Sequence, residues 1–517
     1  MKRPLALMLA GCMLLSGCAS SESSSEQAVT SQTTETQTAA VSVTEPVISE
    51  PEPEPPPFEA DPTPLEQEEK VRLDYTAVMQ QYEENRSEHD AELEQISAEK
   101  DVPCVFITTQ DSKKIISKNE FVPSVIDVFN CEDDFRLTAN GGVKIRGNST
   151  ADQSDEKPYR IKFEEKHNML GLNSGREYKS WVLLRSYWNL APDHMAFNLA
   201  KTIFEGKYYC SDSTYVNLYI NGEPCGVYLL CEQNQAAKGR IEVSEPKKDD
   251  TGIDIGYLLE MDNYPSDEHP FFELDHENAN IEDISGESRV LESHAYSVKS
   301  DINTEGQLEF IGKYLEGAFD ILYQAAENGK RYRFDSAYNV VSAGDVYQTP
   351  YEAADAVFDL ESLANMLILE ELVHNYDVGA GSFYIAVDFS KNSKYPKLTF
   401  LAPWDFNWAY YEEASGQYYA CTFQKIQDDG YDRSNPWFIT AMKADWFRKI
   451  VTDKWAKLSE GDAIIETTKQ VTRDCNKLKR DLGDDSWKID CAKDIAKFVV
   501  GRVRWLDKQW KTQQTAS

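Results

Sequence analysis

The chain is predicted to be an α+β protein with a two-lobed body, β-rich in its first half and α-rich in its second, preceded by a signal, a disordered stalk and a helical neck. Three observations carry this. Short runs of alternating apolar and polar residues, bounded by Gly, Asn and Ser turns, crowd the region from Val102 to Glu260. Apolar residues at helical spacing take over from Gln307. The first hundred residues have another composition altogether. With 517 residues, 41% apolar and 11% aromatic, the chain has enough apolar side chains for a sizeable core, which excludes disorder over its full length.

The amino terminus reads MKRPLALMLAGCMLLSGCAS. Lys2 and Arg3 form a basic start and Leu5 to Leu15 an apolar stretch too short to span a bilayer. Small residues then lead to Cys18. Leu15-Ser-Gly-Cys18 resembles a bacterial lipobox, in which Cys18 is lipidated and heads the mature chain; Leu9-Ala-Gly-Cys12 is a second match that leaves a shorter apolar stretch. The expectation is a lipoprotein signal over 1–18 and a soluble body held on the extracellular face of a bacterial membrane through its acyl anchor alone. Residues 19–62 are rich in Ser, Thr, Glu and Pro and contain no Lys or Arg, which predicts an extended stalk. Residues 63–101 are charged with a sparse apolar stripe of Leu73, Val78, Met79 and Tyr82, continued by Leu93 and Ile96, which predicts a helical neck or the first helix of the body. The body is then 102–517.

The charge is one-sided, 88 Asp and Glu against 53 Lys and Arg, a formal net of −35. Binding to nucleic acid is excluded on this ground, since both partners would be polyanions. Two of the ten cysteines, Cys12 and Cys18, fall in the signal. The remaining even number permits disulfides in an exported protein without assigning pairs. The absence of a C-x-x-C pair argues against a zinc ribbon.

Within the body, 103–109, 142–146, 159–163 and 181–184 read as short strands. Pro192 to Phe204 reads as a helix, with Met195, Leu199 and Ile203 on one face. Residues 215–220 and 227–231 read as a hairpin around Asn221-Gly222, and 255–260 as another strand. Gln307–Gln324 and Leu360–Leu372 read as amphipathic helices, 382–386 and 397–400 as strands, and Pro436–Trp510 as mostly helical.

No G-x-S-x-G, H-E-x-x-H, Walker A or G-x-G-x-x-G pattern is present, and the seven histidines are scattered. Two acidic centres stand out instead. Asp377 closes Glu-Leu-Val-His-Asn-Tyr-Asp after an apolar helix, and Asp405 sits in Pro-Trp-Asp-Phe-Asn407 just past a strand. With a strand pair between them, the two carboxylates can face one pocket. Phosphoryl transfer needs such a pair, one acid for the nucleophilic hydroxyl and one for a divalent cation. It also needs a cation on a strand, for which Lys162 is the candidate and Lys157 the runner-up, and a small-residue turn near the phosphates, for which Arg146-Gly-Asn148-Ser149 is the candidate. The plainer readings are that Asp405 caps a turn, Asp377 ends a helix and Lys162 is an exposed strand lysine.

The ordered motifs GGVKIRGNST (141–150), KPYRIKF (157–163), YKSWVLLRSYWN (178–189), VNLYINGEPCGVYLLCEQ (216–233), YLLEMD (257–262), FDLESLANMLILEEL (358–372), HNYD (374–377), PWDF (403–406) and RWLD (504–507) resemble the CotH family of spore-coat-type atypical protein kinases, from about Leu137 to Trp510. The resemblance implies a divergent protein-kinase-like body over 102–517, binding of ATP with Mg²⁺ or Mn²⁺, and phosphorylation of Ser or Thr in a protein substrate, itself included. Position by position it implies that Asp377 is the catalytic aspartate, that Asp405 binds metal with Asn407 beside it, that Lys162, Arg146, Asn148 and Ser149 face the phosphates, and that Glu232 lies near the nucleotide or is a structural acid. Two departures weaken the metal site: family members commonly carry an acid where Asn407 stands and an Asn where Ser382 stands. The helix Pro192–Phe204 offers no glutamate to pair with the phosphate lysine. A non-catalytic adhesion or envelope-organising module on the same scaffold is the alternative.

Overall fold

Alternation between apolar and polar residues builds seven strands that close on themselves. They are β1 (Cys104–Thr109), β2 (Val122–Phe129), β3 (Leu137–Ile145), β4 (Tyr159–His167), β5 (Tyr178–Leu184), β6 (Ser213–Ile220) and β7 (Glu223–Glu232). The computed structural model describes residues 55–511 except 67–71, 148–150, 152–154, 187–188, 263–264, 266–268, 277–279, 411–415 and 426–431. Cys18, the signal, most of the expected stalk, Asn148 and Ser149 therefore lie outside the described residues. The barrel order is β1-β2-β3-β4-β5-β7-β6, and the seam is a parallel pairing that sets Cys104 beside Asn217. Inward residues such as Ile107, Ile126, Val143, Ile161, Trp181 and Leu230 fill the interior. Asn221 (φ 52°) and Gly222 (φ 84°) both adopt the left-handed backbone that a tight β6–β7 hairpin requires.

The sequence implies one neck helix over 63–101; the structure forms two, α1 (Thr76–Glu84) and α2 (Arg86–Glu99), and docks both on the barrel. Val78 and Tyr82 pack on Val125, and Leu93 and Ile96 pack with Phe106, Phe129 and Tyr219. The Tyr82 hydroxyl donates to Asp127 at 2.9 Å and His89 Nε2 lies 3.0 Å from the same carboxylate. These helices are part of the body rather than a spacer.

Nine more strands follow: β8 (Gly256–Met261), β9 (Phe271–Leu274), β10 (Asn280–Glu282), β11 (Ser288–Val290), β12 (His294–Val298), β13 (Tyr332–Phe334), β14 (Val340–Ser342), β15 (Phe383–Asp388) and β16 (Thr399–Leu401). Five of them form a second sheet in the order β16-β15-β8-β12-β9, and the other four make two ribbons. The helices are α3 (Pro192–Phe204), α4 (Glu305–Ala326), α5 (Pro350–Val357), α6 (Leu360–Val373), α7 (Pro436–Ala441), α8 (Asp445–Glu460), α9 (Ala463–Lys477) and α10 (Cys491–Leu506). Thr304 and Thr349 each start a helix with a reciprocal cap to Gln307 and Glu352. The fold is α+β as expected, with a β-rich first part and helices dominating the C-terminal part. The two halves are not separate, however: β15 and β16 return from the helical half to pair with β8, Ile385 opposite both Leu259 and Phe400.

Two further differences have physical causes. Helix α6 is buried on every face, so Glu370 and Glu371, which gave it an amphipathic look, are core residues rather than a solvated stripe. Residues 55–66, the end of the expected stalk and the start of the neck, run along α4: Phe58 packs on Phe310 at 5.5 Å and the Leu65 N–H donates to the Asn303 carbonyl at 2.9 Å. All eight described cysteines are free thiols, and Cys104, Cys231, Cys421 and Cys475 are buried.

Candidate active site

A cleft of about 920 Å³ runs between the outer wall of the barrel and the second sheet with its loops. Strand parity sets the barrel side. Val143 and Ile145 on β3, and Tyr159 and Ile161 on β4, point into the barrel. Their neighbours Lys144 and Arg160, register partners across β3 and β4, therefore point out, and both line the cleft. Arg146 follows β3 and lies over the Trp404 ring at 5.5 Å. The chain leaving β7 adds Gln233, Asn234 and Gln235.

The opposite wall carries the carboxylates Asp377 and Asp405, with Ser382, Tyr384 and Asn407. Helix α6 stops where His374 turns left-handed (φ 50°), and the loop beyond it presents Asp377, whose carbonyl accepts from the N–H groups of Ala380 and Gly381. Gly379 is required there: a Cβ would stand 2.4 Å from the Arg433 carbonyl oxygen. That close approach holds Arg433 beside the loop, with its Nε 3.5 Å from the Asp377 carboxylate and its guanidinium 4.2 Å from the centre of the Tyr376 ring. The Asn435 amide donates to the Val378 carbonyl at 2.8 Å and fixes the same loop from below. Beneath it the Glu371 carboxylate accepts from Arg502 and from the N–H groups of Tyr419 and Cys421, with both partners of the ion pair fully buried at 3.0 Å. A buried pair whose remaining lone pairs are satisfied in this way holds a single geometry.

Asp405 stands in the left-handed region (φ 63°), as does Ala402 three residues earlier (φ 55°). Such a conformation costs about 1–2 kcal/mol outside glycine, and Asp tolerates it better than most. Burial, reinforced by the nearby Asp193 and Asp377 and partly offset by Arg146, pushes the Asp405 carboxyl up to about 7. Burial likewise pushes Asp193 up to about 6. Glu260 on β8 and Asp262 just beyond it add further negative charge and are held by Lys299 at 2.9 and 3.2 Å.

Carboxylates raised in this manner favour a bound cation. Among the described residues the Asn407 side-chain oxygen is buried without a hydrogen-bond partner, in a residue that lines the cleft. These residues fit a hard divalent ion. Among the described residues no three His, Cys, Asp or Glu side chains surround a common point, so the chain itself would supply only part of such an ion's shell.

Of the residues chosen from sequence, Asp377, Asp405, Asn407 and Arg146 share the cleft, and Ser382 with them. Lys162 does not line it. It lies on the same outward face as Arg160 but two residues along β4, opposite Gly142, exposed and 5.8 Å from the Phe121 ring. Lys157 donates to the Ala151 carbonyl at 2.6 Å instead. Glu232 also stays out of the cleft. Its buried carboxylate accepts from Arg240 at 3.0 Å and from Asn173 at 2.8 Å, the contacts of a structural acid. Lys144, Arg160, Asp193 and Glu260 were missed, although the parity of K-I-R and Y-R-I already placed the first two outside the barrel.

The chain matches the family described as CotH kinase protein over residues 143–508. No curated protein matches it. The matched span opens in β3, takes in every cleft residue named above and ends beyond α10. On that coverage the chain belongs to the CotH kinase protein family.

Proposed function

We propose that the protein transfers the γ-phosphoryl group of ATP to a Ser or Thr hydroxyl of a protein substrate, itself included, with Mg²⁺ or Mn²⁺ bound between the phosphates and Asp405. Family membership supports ATP-dependent phosphoryl transfer at the coarser level. The observation that carries the finer reading is the cleft itself, where Asp377 and Asp405 line one wall and Arg146, Lys144 and Arg160 the other. In this reading the barrel and the helical part are the two lobes of a divergent kinase-like body.

The divalent ion supplies charge neutralisation on the phosphates. The chain's own residues do the rest. Asp405 and the Asn407 side-chain oxygen would hold the ion on one wall, while Arg146, with Lys144 and Arg160 behind it, would oppose the phosphate charge from the other. Asp377 orients the substrate hydroxyl and accepts its proton, and Arg433, 3.5 Å away, holds that carboxylate in place. The Lys162 role passes to these three cations. The signal and Cys18 support a companion proposal, that the catalytic body works on the outer face of a bacterial membrane through its lipid anchor.

The test uses the chain without its first eighteen residues. A Mg²⁺- or Mn²⁺-dependent thermal shift with ATP is expected, lost in Asp405→Ala. Asp377→Ala is expected to keep the shift and lose phosphate incorporation. A wild-type protein with no metal-dependent shift at millimolar ATP overturns the proposal and leaves the scaffold as a binding module.

A further inference from the structure

The first turn of α3 reaches into the cleft. Pro192 occupies the first turn and Asp193 follows it, a place where an acid ordinarily caps its own helix. The Asp193 carboxylate interacts with its own backbone N–H and also reaches beyond its helix. Its Oδ1 accepts from the Phe406 N–H at 2.8 Å, directly after the left-handed Asp405. Two ring contacts from the next turn of the same helix grip the same tripeptide: Phe197 meets Trp404 at 5.4 Å and Phe406 at 6.2 Å. The Tyr410 hydroxyl closes the loop by donating to the Pro192 carbonyl at 3.3 Å. Arg146 lies over the Trp404 ring at 5.5 Å and acts electrostatically on both Asp193 and Asp405. One helix end thus fixes the backbone on which the cation-facing carboxylate is mounted.

We propose that Asp193 is a positioning residue, whose hydrogen bond to the Phe406 N–H holds Asp405 in its left-handed turn and so aims the Asp405 carboxylate at the divalent ion. The inference rests on the phosphoryl-transfer reading. A carboxylate and an amide oxygen accept this bond equally well in shape, so Asp193→Asn keeps the bond and Asp193→Ala removes it. The αL turn is then released toward the extended and right-handed regions that Asp prefers.

The experiment compares wild type, Asp193→Asn and Asp193→Ala in the chain without its first eighteen residues, by two readouts. Amide hydrogen exchange over 404–407, without nucleotide, is expected to quicken at least about tenfold in Asp193→Ala and to stay near wild type in Asp193→Asn. The Mg²⁺ concentration giving half the ATP-dependent thermal shift is expected to rise at least about tenfold in Asp193→Ala and less than about threefold in Asp193→Asn. Unchanged exchange in Asp193→Ala overturns the proposal, as does faster exchange with unchanged Mg²⁺ dependence. Loss of Mg²⁺ response in Asp193→Asn equal to that in Asp193→Ala also overturns it, since the charge and not the bond would then be responsible. A wild-type protein without any Mg²⁺-dependent shift refutes the phosphoryl-transfer reading and this inference with it, and is recognised before any variant is compared.

Discussion

Asp405→Asn is expected to stabilise the nucleotide-free protein while disabling it. The carboxyl of Asp405 is pushed up from 3.8 to about 7 by burial and by Asp193 and Asp377. A carboxyl raised in the folded state binds its proton more tightly there than in the unfolded chain. Its contribution to stability is therefore full below about pH 4 and is lost as pH rises through about 7. Above that pH the folded protein carries an ionised group it holds unwillingly. The interval from 3.8 to about 7 corresponds to about 4 kcal/mol. Part of that rise comes from the neighbouring Asp193 and Asp377 charges and the cleft admits water, so removal of one charge returns about 2 kcal/mol at pH 8. In a unit of this size that raises Tm by about 2 °C. At pH 5 the gain falls to roughly 0.4 of that value, because the loss accrues from pH 3.8 upward. Asn retains the size of the side chain and tolerates the left-handed backbone, which separates the charge from the geometry. The assay is thermal unfolding at pH 5 and pH 8, with and without ATP and Mg²⁺. A variant less stable than wild type at pH 8, or one with an intact Mg²⁺-dependent shift, refutes the reasoning.

Three further outcomes follow from particular contacts. Arg502→Ala leaves Glu371 as a buried, unpaired carboxylate and is expected to cost about 3–5 kcal/mol, read as a lower urea midpoint. Arg146→Ala is expected to weaken ATP binding about tenfold or more, the worth of a charge-assisted contact of about 1.5–3 kcal/mol, whereas Lys162→Ala leaves it within about twofold; calorimetry compares the two. Cys18→Ser is expected to abolish labelling by a radioactive fatty acid and to release the chain from the membrane fraction, and continued labelling would move the anchor to another residue.

Six of the barrel's seven strands, all but β2, were legible in the sequence because period-two alternation and the Asn221-Gly222 turn are local signals. Its closure was not, since the parallel seam between Cys104 and Asn217 depends on residues far apart in the chain. The nature of α6 was hidden for a related reason. Glu370 and Glu371 mark a polar face by type, and only the partner Arg502, on a distant helix, makes burial of Glu371 tolerable. Asp377 and Asp405, which line the cleft, were legible because each follows a recognisable element and carries the family's motif. Lys162 falls one pleat outside the cleft. Alternation selects the outer face shared by Arg160 and Lys162 but does not say how far the cleft extends along β4. Asp193 left no sequence signal, because its partner is a backbone N–H, which every residue but proline carries.

The central claim is that Asp377 and Asp405 act on one triphosphate in one cleft. Incubation of the mature chain with γ-labelled ATP and Mg²⁺ or Mn²⁺, followed by residue mapping of the incorporated label, tests it most directly. The account predicts metal-dependent label on Ser or Thr, absent in Asp377→Ala although ATP still binds, and absent in Asp405→Asn. Label incorporated equally by wild type and both variants would contradict it.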